Sequence, residues 1–225
     1  MKQCNGFATS KADIIGMLKY LTKEMQRRYK VFASQKDVCM NIFQYNKRMK
    51  KEEYKMEVWH FLTDEVADLS EDKEIQDLMW SLARKGRAAG IYVSLATQRG
   101  TLENLSSEIK AMLKNKMSFS QSNSSSAGTI MGHSEKTTDM VMSLEKNREF
   151  VIDYLEGIKI AKTLYLDEDM MGEYLKKLKD YNHKPLKFKI DGTIAEEKKG
   201  KEGKEGSNSR KKSNSWSNSS SKRNK

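Results

Sequence analysis

Residues 58–65 read Val-Trp-His-Phe-Leu-Thr-Asp-Glu, a mostly apolar run that ends in two carboxylates. A near-continuous apolar run of this kind is typical of a strand buried in a parallel sheet. In open α/β sheets, ligands bind beyond the carboxyl ends of the strands. We therefore predict a strand over Met56–Thr63, with Asp64 and Glu65 at the edge where a nucleotide phosphate would bind.

A second apolar run lies further along the chain and also ends in polar residues. Residues 91–96 read Ile-Tyr-Val-Ser-Leu-Ala, and Thr97, Gln98 and Arg99 follow. Between the two runs we predict a helix over Ser70–Ala89, with its first residue as the N-cap. Its apolar residues recur at helical spacing, at Ile75, Leu78, Met79 and Leu82. A strand, a crossover helix and a second strand form a right-handed βαβ unit, so both polar ends are expected at one edge of a parallel sheet.

These two runs resemble the Walker B strand and the sensor strand of P-loop NTPases. The resemblance implies that Asp64 holds Mg²⁺ through water and that Glu65 polarises the attacking water as a general base. Gln98 would hydrogen-bond that water and the γ-phosphate. Arg99 would do the same or pair with a carboxylate. The implied ligands are ATP and Mg²⁺, with Asp64, Gln98 and Arg99 at the nucleotide.

The rest of the first 182 residues shows further helical and strand patterns. A capping box at Ser10 predicts a long first helix, and Glu156-Gly157 between two apolar runs predicts a hairpin. The other predicted segments are the body of that first helix (Ser10–Phe32), a short helix or loop (Asp37–Arg48), a further strand of the parallel sheet (Lys116–Ser122), a flexible Ser/Asn-rich stretch (Gln121–Ala127) and a terminal helix (Asp167–Tyr181).

The basic character of the chain lies mainly in its C-terminal part. Lys and Arg outnumber Asp and Glu by 42 to 31 overall, but by 13 to 5 from His183 onward and by 29 to 26 before it. We predict a folded domain over 1–182 and a basic low-complexity tail over 183–225, disordered from about Thr193. A basic tail suits nucleic acid, and a solubilising role explains the charge equally well.

The sequence shows no segment that would direct the chain into or across a membrane. It has no run of 18 apolar residues, and its N-terminal residues lack the apolar core of a signal peptide. Cys4 and Cys39 have no ligand-like spacing, which favours reduced thiols. We expect a cytoplasmic chain without a membrane segment.

Several ordered motifs resemble the FtsK/SpoIIIE family of DNA translocases. They are carried by Phe61–Leu69, Ala83–Ile91 and Leu95–Arg99, and by Glu24–Tyr29 upstream of the Walker B strand. The resemblance covers roughly residues 10–132. Because several motifs agree in order, it is specific.

The resemblance implies an α/β motor domain with a RecA-like P-loop NTPase sheet and flanking helices. Such domains assemble as a homo-oligomeric ring and pump double-stranded DNA with ATP and Mg²⁺. Relatives serve chromosome partition or conjugative transfer of mobile elements. Arg84 and Arg87 would then be finger residues that reach a phosphate in the neighbouring subunit. A helix-surface or ion-pair role explains the two arginines equally well.

The sequence departs from the family pattern, above all at the nucleotide loop. The motif G-x-x-x-x-G-K-[ST], whose backbone N–H groups and lysine bind the phosphates, occurs nowhere in it. Gly100 replaces the proline that follows Thr-Gln-Arg, and residues 126–128 read Ser-Ala-Gly where the family has Asp-Ser-Arg. His60 interrupts the Walker B strand, and a hydrogen-bonded core histidine is the favoured interpretation.

Two classes of function follow from these observations. The first is a translocase domain, incomplete at its N-terminal side, that is truncated and inactive alone or is completed by a separate P-loop-bearing chain. The second is a non-hydrolysing accessory module that binds DNA or a motor ring. The intact Asp64, Glu65 and Gln98 favour the first, whereas the missing loop favours inactivity of the chain alone. Whether the chain is an enzyme stays open at this stage.

Overall fold

The computed structural model combines helices and strands in an α/β arrangement. It describes residues 4–69, 71–98, 107–132, 134–145, 148–154, 157–165, 167–177 and 185–195. The chain divides into two units, Met1–Ala195 and Glu196–Lys225, and all described residues belong to the first. None of the helices in these described ranges is both long enough and apolar enough to cross a membrane.

The helices and strands are interspersed along the chain. In order they are α1 (Lys11–Ala33), α2 (Ile42–Arg48), β1 (Trp59–Thr63), α3 (Lys73–Lys85), β2 (Ile91–Leu95), α4 (Ser107–Met112), β3 (Lys116–Phe119), α5 (Ser124–Met131), α6 (Glu135–Met142), β4 (Glu149–Tyr154), β5 (Gly157–Lys162) and α7 (Glu168–Lys177). Short 3₁₀ turns cover Glu52–Tyr54 and Ala67–Leu69.

The predicted βαβ unit is confirmed. β1 and β2 pair in parallel, with Trp59 opposite Ile91 at one end and Thr63 opposite Leu95 at the other. α3 crosses between them and packs against α1. Both polar strand ends therefore lie at the same edge of the sheet, as expected from the order of the elements.

The predicted ends of α3 were wrong at both termini. Its N-cap is Asp72, whose carboxylate accepts the N–H of Ile75 at 3.0 Å; Ser70 lies outside the described residues. The helix stops at Lys85 rather than at Ala89. A turn follows and closes at Gly90, where φ is +74° and an added Cβ would lie 2.5 Å from the Ile42 side chain. Only glycine adopts this conformation without strain, so the turn and not the helix leads into β2.

The first helix confirms Ser10 as its N-cap, with a hydroxyl–carboxylate bond in place of the second backbone bond of a capping box. The Ser10 hydroxyl accepts the N–H of Asp13 at 3.2 Å and donates to the carboxylate of the same residue at 2.6 Å. The buried core joins one face of this helix to α3 and to one face of the parallel pair. Its buried members include Ile15, Leu18, Met25, Phe61, Ile75, Met79, Leu82 and Ile91.

The prediction for β3 was half right. The strand forms, but it pairs antiparallel with β4, and β4 pairs antiparallel with β5. Among the described residues β3 therefore belongs to a separate three-stranded sheet and not to the parallel one. The predicted hairpin between β4 and β5 is confirmed, with Tyr154 opposite Gly157, whose φ is +104°. Glu156 lies outside the described residues.

The Ser/Asn-rich stretch after β3 was wrongly predicted as flexible. Asn123 caps α5 by accepting the N–H of Ser126 at 2.8 Å, and the helix runs to Met131. Asn and Ser are poor in helix interiors but strong at helix starts, because their side chains bond nearby backbone groups. The composition that suggested a loop is the composition of a helix start.

Residues 185–195 form a strap on the outer side of α1. The Leu186 N–H donates to the Asn5 carbonyl at 2.7 Å, and Phe188 packs on the Tyr20 ring with centroids 5.3 Å apart. The Ala195 N–H donates to the Lys187 carbonyl at 2.8 Å. Part of the predicted tail is therefore packed, and disorder does not begin at Thr193, since the chain is paired to Ala195.

The strap sets a testable steric requirement at Gly16. A Cβ there would lie 2.2 Å from the Lys189 carbonyl oxygen, which belongs to backbone. We expect Gly16→Ala to lower the free energy of unfolding by about 1–3 kcal/mol, as overpacking does, measured by urea denaturation. The control is Gly172→Ala in α7, where an added Cβ meets nothing within 4 Å. That change should be neutral or stabilising, by about 0.5–1 kcal/mol from helix propensity. If the two variants have equal free energies of unfolding, the strap does not restrict the space for a side chain at Gly16.

Candidate functional site

Backbone hydrogen bonds join the segments that follow β1 and β2. The Ala96 N–H donates to the Thr63 carbonyl at 3.0 Å, and the Val66 N–H donates to the Ala96 carbonyl at 2.9 Å. The parallel ladder is thus extended past the last strand residues by the backbone itself. Two polar segments, 63–66 and 96–98, are fixed side by side at the carboxyl edge of the sheet.

Glu65 is the most firmly held side chain at this edge. One carboxylate oxygen accepts the Ala67 N–H at 3.1 Å and the Thr97 hydroxyl at 2.5 Å. The other oxygen accepts the Gln98 N–H at 2.9 Å. The carboxylate therefore bridges the two segments, and its position is set by donors from both.

Asp64 differs from its neighbour in being open to solvent. Within the described part of the chain its carboxylate is exposed and takes part in no hydrogen bond or ion pair. Protein Mg²⁺ sites commonly use one or two carboxylates, with water and substrate phosphates as the other ligands. A free carboxylate at the end of β1 fits that use. The described residues contain no group of three or more His, Cys, Asp or Glu that could hold a metal ion by themselves.

Gln98 has a backbone role and a free side chain. Its N–H is engaged with Glu65, while the residue as a whole is exposed beside the same edge. Its amide is thus available to a ligand above the sheet. Arg99, which was predicted to act beside it, lies outside the described residues.

The two arginines considered as finger residues lie away from this edge. Arg84 is in the last turn of α3, with its guanidinium 5.0 Å from the Trp80 ring centroid, and Arg87 is exposed in the turn before β2. Both precede the first residue of β2, whereas Gln98 follows its last. β2 has five residues. At about 3.3 Å per residue, its two ends are roughly 15 Å apart. The two arginines therefore lie at the opposite end of β2 from Gln98.

His60 is not the core histidine that the sequence favoured. It is exposed, and its ring stacks on Tyr92 with centroids 5.2 Å apart and planes 17° apart. Successive residues of a strand point to opposite faces. The odd-numbered Trp59 and Phe61 face the helices, so His60 faces away from them.

Sequence reasoning did not single out Thr97 as a functional residue. Its hydroxyl lies 2.5 Å from the Glu65 carboxylate, in the same loop as Gln98. The available signal was its place directly after an apolar run, where the chain leaves the sheet. Its contact with Glu65 depends on the register between the two strands, which the sequence does not state.

Comparison with curated proteins identifies relatives that match about half of the chain. The chain is 36% identical over 127 residues to the DNA translocase FtsK of Clostridium tetani, a match that covers 54% of this chain and 17% of that protein. It is 34% identical over 119 residues to the DNA translocase FtsK of Caldanaerobacter subterraneus, covering 52% and 16%. The chain therefore spans less than a fifth of the length of these relatives. No protein-family model matches it.

Solved structures share the fold at lower identity. The pCW3 conjugation coupling protein TcpA, in a monomer form with ATPγS, superposes with a TM-score of 0.60 at 22% identity, covering 74% of this chain and 48% of that one. The cytoplasmic domain of the Thermomonospora curvata Type VII secretion ATPase EccC gives a TM-score of 0.61 at 20% identity, covering 79% and 21%.

The curated matches and the fold agree with the motifs carried by residues 10–132. The order of strands, crossover helix and polar strand ends is the arrangement that the resemblance implied. The chain is a relative of the FtsK/SpoIIIE family of DNA translocases and has the RecA-like α/β fold of FtsK-type ATPases, with a sheet that is incomplete within the described residues.

Proposed function

We propose that this chain supplies the Walker B and sensor side of an ATP-driven DNA translocase. The observation that carries the proposal is the bridge from Glu65 to Thr97 and Gln98, which fixes a carboxylate beside the exposed Asp64 at one sheet edge. A general base must be held at a defined place near the water that it activates. Here that place is set by donors from both strand ends.

Each residue has a distinct task in the proposed reaction. Asp64 would hold Mg²⁺ through water, and the ion would neutralise charge on the phosphates. Glu65 would take the proton of the water that attacks the γ-phosphate. Gln98 would orient that water with its free amide, and Arg99 would contact the same phosphate. Arg84 and Arg87, being far from this edge, would serve only a neighbouring subunit of a ring.

The phosphate-binding loop has to come from residues other than the 225 printed here, because none of them forms that motif. We therefore propose that this polypeptide alone hydrolyses ATP negligibly. Double-stranded DNA is the proposed substrate, since the curated relatives are named DNA translocases. Conjugative transfer is the process we favour over chromosome partition, because the solved TcpA is a conjugation coupling protein. The proposed location is the cytoplasm.

The test supplies the missing loop in trans. We define the P-loop fragment as the segment of Clostridium tetani FtsK that precedes the stretch matched here and, by the family pattern, carries the P-loop. ATP hydrolysis is measured for the 225-residue chain alone, with the P-loop fragment, and with the fragment plus duplex DNA. DNA-stimulated hydrolysis should appear only in the last mixture and be lost with Asp64→Asn. The matched control Asp77→Asn, an exposed carboxylate on α3, should leave it unchanged.

Two other outcomes would contradict the proposal. Turnover by the chain alone that depends on Glu65 would reveal a phosphate site unlike the P-loop. A complex that forms without hydrolysis would favour the alternative function, an accessory module that binds DNA or a motor ring without hydrolysing ATP.

The basic C-terminal residues are proposed to supply most of the non-specific DNA affinity. Residues 196–225 contain ten Lys/Arg and four Asp/Glu. Contacts of Lys and Arg with phosphate release counterions, so the logarithm of affinity should fall with the logarithm of salt by about 0.9 per phosphate neutralised. A chain ending at Ala195 should bind duplex DNA more weakly, with a flatter salt slope, when measured by anisotropy of a labelled duplex.

A length-matched control separates charge from chain length in that experiment. Replacing the ten Lys/Arg of 196–225 by Gln should reproduce the effect of the deletion. Both variants should unfold at the same urea concentration as the parent, because the last described pairing closes at Ala195. Unchanged affinity at low salt in both variants would place the DNA contacts on the folded unit instead.

A further inference from the structure

The helix α7 exposes an apolar face. None of its ten residues is buried. Four large apolar side chains recur at helical spacing and are each 40% to 60% exposed: Met170, Met171, Tyr174 and Leu175. An exposed apolar patch with a charged rim marks an interaction site. A helix of this length is marginal in water by itself, so α7 is stabilised when another surface covers this face.

The charges on α7 disfavour two common partners of amphipathic helices. Residues 167–177 contain four Asp/Glu and two Lys. Helices that lie on a membrane surface are rich in Lys and Arg on their polar face, and nucleic acid attracts the same residues. The net negative charge of α7 suits neither of them. Its partner is therefore more plausibly a protein surface with a matching order of charges.

The order of charges along α7 fits a second copy of the same helix. Glu168 and Asp169 lie in its first turn, and Lys176 and Lys177 lie in its last. When two copies run antiparallel, the acidic end of each meets the basic end of the other. The helix dipoles are then opposed as well. A parallel pair would instead bring like charges together at both ends.

We propose that the apolar face of α7 binds the same face of a second copy in an antiparallel, twofold-symmetric pair. With the crossing at the middle of the exposed face, Tyr174 of each copy packs on Leu175 of the other. Glu173 and Lys177 lie one turn apart along the same border of the apolar face. In a twofold pair this border meets its own copy running the opposite way, so Glu173 lies opposite Lys177 at two symmetry-related places.

The size of the contact sets its strength. Ten residues of α-helix are about 15 Å long, and a pair of such helices buries less than the roughly 1,200 Å² of a stable protein interface. The pair is therefore weak and reversible, and it forms at high local concentration. A motor with several copies of this chain in one assembly supplies that concentration, since linked copies associate as if within one molecule.

The first measurement is self-association of the 225-residue chain by sedimentation equilibrium at protein concentrations up to about 1 mM, where weak contacts are populated. The parent should associate reversibly, and less so in high salt. Tyr174→Glu should weaken association at least about tenfold, because it buries a charge at the centre of the contact. Tyr54→Glu is the matched control, since Tyr54 is 56% exposed and lies outside α7. This variant should associate like the parent.

Charge reversals test the contact without altering the apolar face. Glu173→Lys and Lys177→Glu each place like charges opposite one another across the pair, and each should associate about three- to tenfold more weakly than the parent. An equimolar mixture of the two variants should regain the parent's association, because opposite charges then face each other. Each variant also has like charges four residues apart within its own helix, and mixing does not relieve these. A preference for the mixed pair therefore reports contact between two copies of α7.

Three outcomes would overturn the proposal. They are a parent chain that stays monomeric at every concentration, association that survives Tyr174→Glu, and a mixture that associates no better than its components. Binding of the parent to phosphatidylcholine vesicles, without self-association and lost in Tyr174→Glu, would show that lipid covers the face instead. These measurements involve neither ATP nor DNA nor the P-loop fragment, so they stand or fall separately from the proposed function.

Discussion

Glu65→Gln should lower DNA-stimulated ATP hydrolysis by about 10²–10⁴-fold once the P-loop fragment is present, the range expected for loss of a general base. Gln keeps the size of the side chain but cannot take up the proton of the attacking water. It also cannot accept from both the Thr97 hydroxyl and the Gln98 N–H with separate oxygens, as the carboxylate does. The steady-state rate at saturating ATP and DNA is the measurement.

Controls separate the loss of a base from a general effect of neutralising a carboxylate. Glu135→Gln, at the exposed start of α6, should leave the rate within twofold. ATP binding by the Glu65→Gln complex should stay near that of the parent, because Glu65 acts on water rather than on the nucleotide. Thr97→Val should lower the rate less, since it removes one of the donors that position the carboxylate. A rate for Glu65→Gln within tenfold of the parent would show that Glu65 only links the two loops.

Arg28→Met should lower the free energy of unfolding by about 3–5 kcal/mol, the cost of breaking a buried charge pair from one side. The Arg28 side chain is 2% exposed. It donates to the carbonyls of Glu57 and Ala89 at 2.8 Å, pairs with Glu24 at 2.8 Å, and lies 4.6 Å from the Trp59 ring centroid. Met fills a similar volume but leaves the buried Ala89 carbonyl and the part-buried Glu57 carbonyl without this donor, while the Glu24 carboxylate keeps only its bonds from Arg27. Urea denaturation at pH 7 measures the difference.

Arg27→Met is the matched control, because it removes a second guanidinium from the same carboxylate. The Arg27 side chain is 43% exposed, so its loss should cost about 0–1 kcal/mol. Equal effects of the two substitutions would show that the buried position of Arg28 adds nothing. Burial raises the pKa of Glu24, but hydrogen bonds from Arg27 and Arg28 outweigh it and hold the pKa below the ordinary carboxyl value. The stability that ionised Glu24 gains from its two arginines is thus fully present at pH values above the ordinary carboxyl pKa. It is lost as the pH falls through the lowered pKa of Glu24.

Arg28 also stabilises the parallel pair at the end opposite the candidate site. It ties α1 to the residues just before β1 and just before β2, which are the opposite ends of the strands from Asp64 and Gln98. The register of the two strands is thereby fixed at their starts. Register in turn decides which residue of the second loop meets Glu65.

The sequence by itself determined the parts that depend on local pattern. The apolar run before Asp64 and the helical spacing after it were enough to predict a parallel pair with both polar ends at one edge, because period and chain order leave one right-handed arrangement. The helix start at Ser10 and the hairpin at Gly157 could also be predicted from local sequence, since each depends on backbone groups within a few residues. The family resemblance came from the same stretches, because motifs are local in sequence.

Only the tertiary structure decided the contacts between residues far apart in the chain. The bond from Thr97 to Glu65 spans 32 positions, and the contact of the strap with Gly16 joins the two ends of the unit. The antiparallel pairing of β3 and the exposure of His60 likewise depend on which strand lies beside which. A side chain carries a preference for strand or helix, but its partner is chosen by packing and register across the whole fold. For that reason the sequence predicted that Asp64 and Gln98 lie at one edge of the sheet, whereas the structure assigned Glu65 its hydrogen-bond partners and showed that Asp64 is exposed.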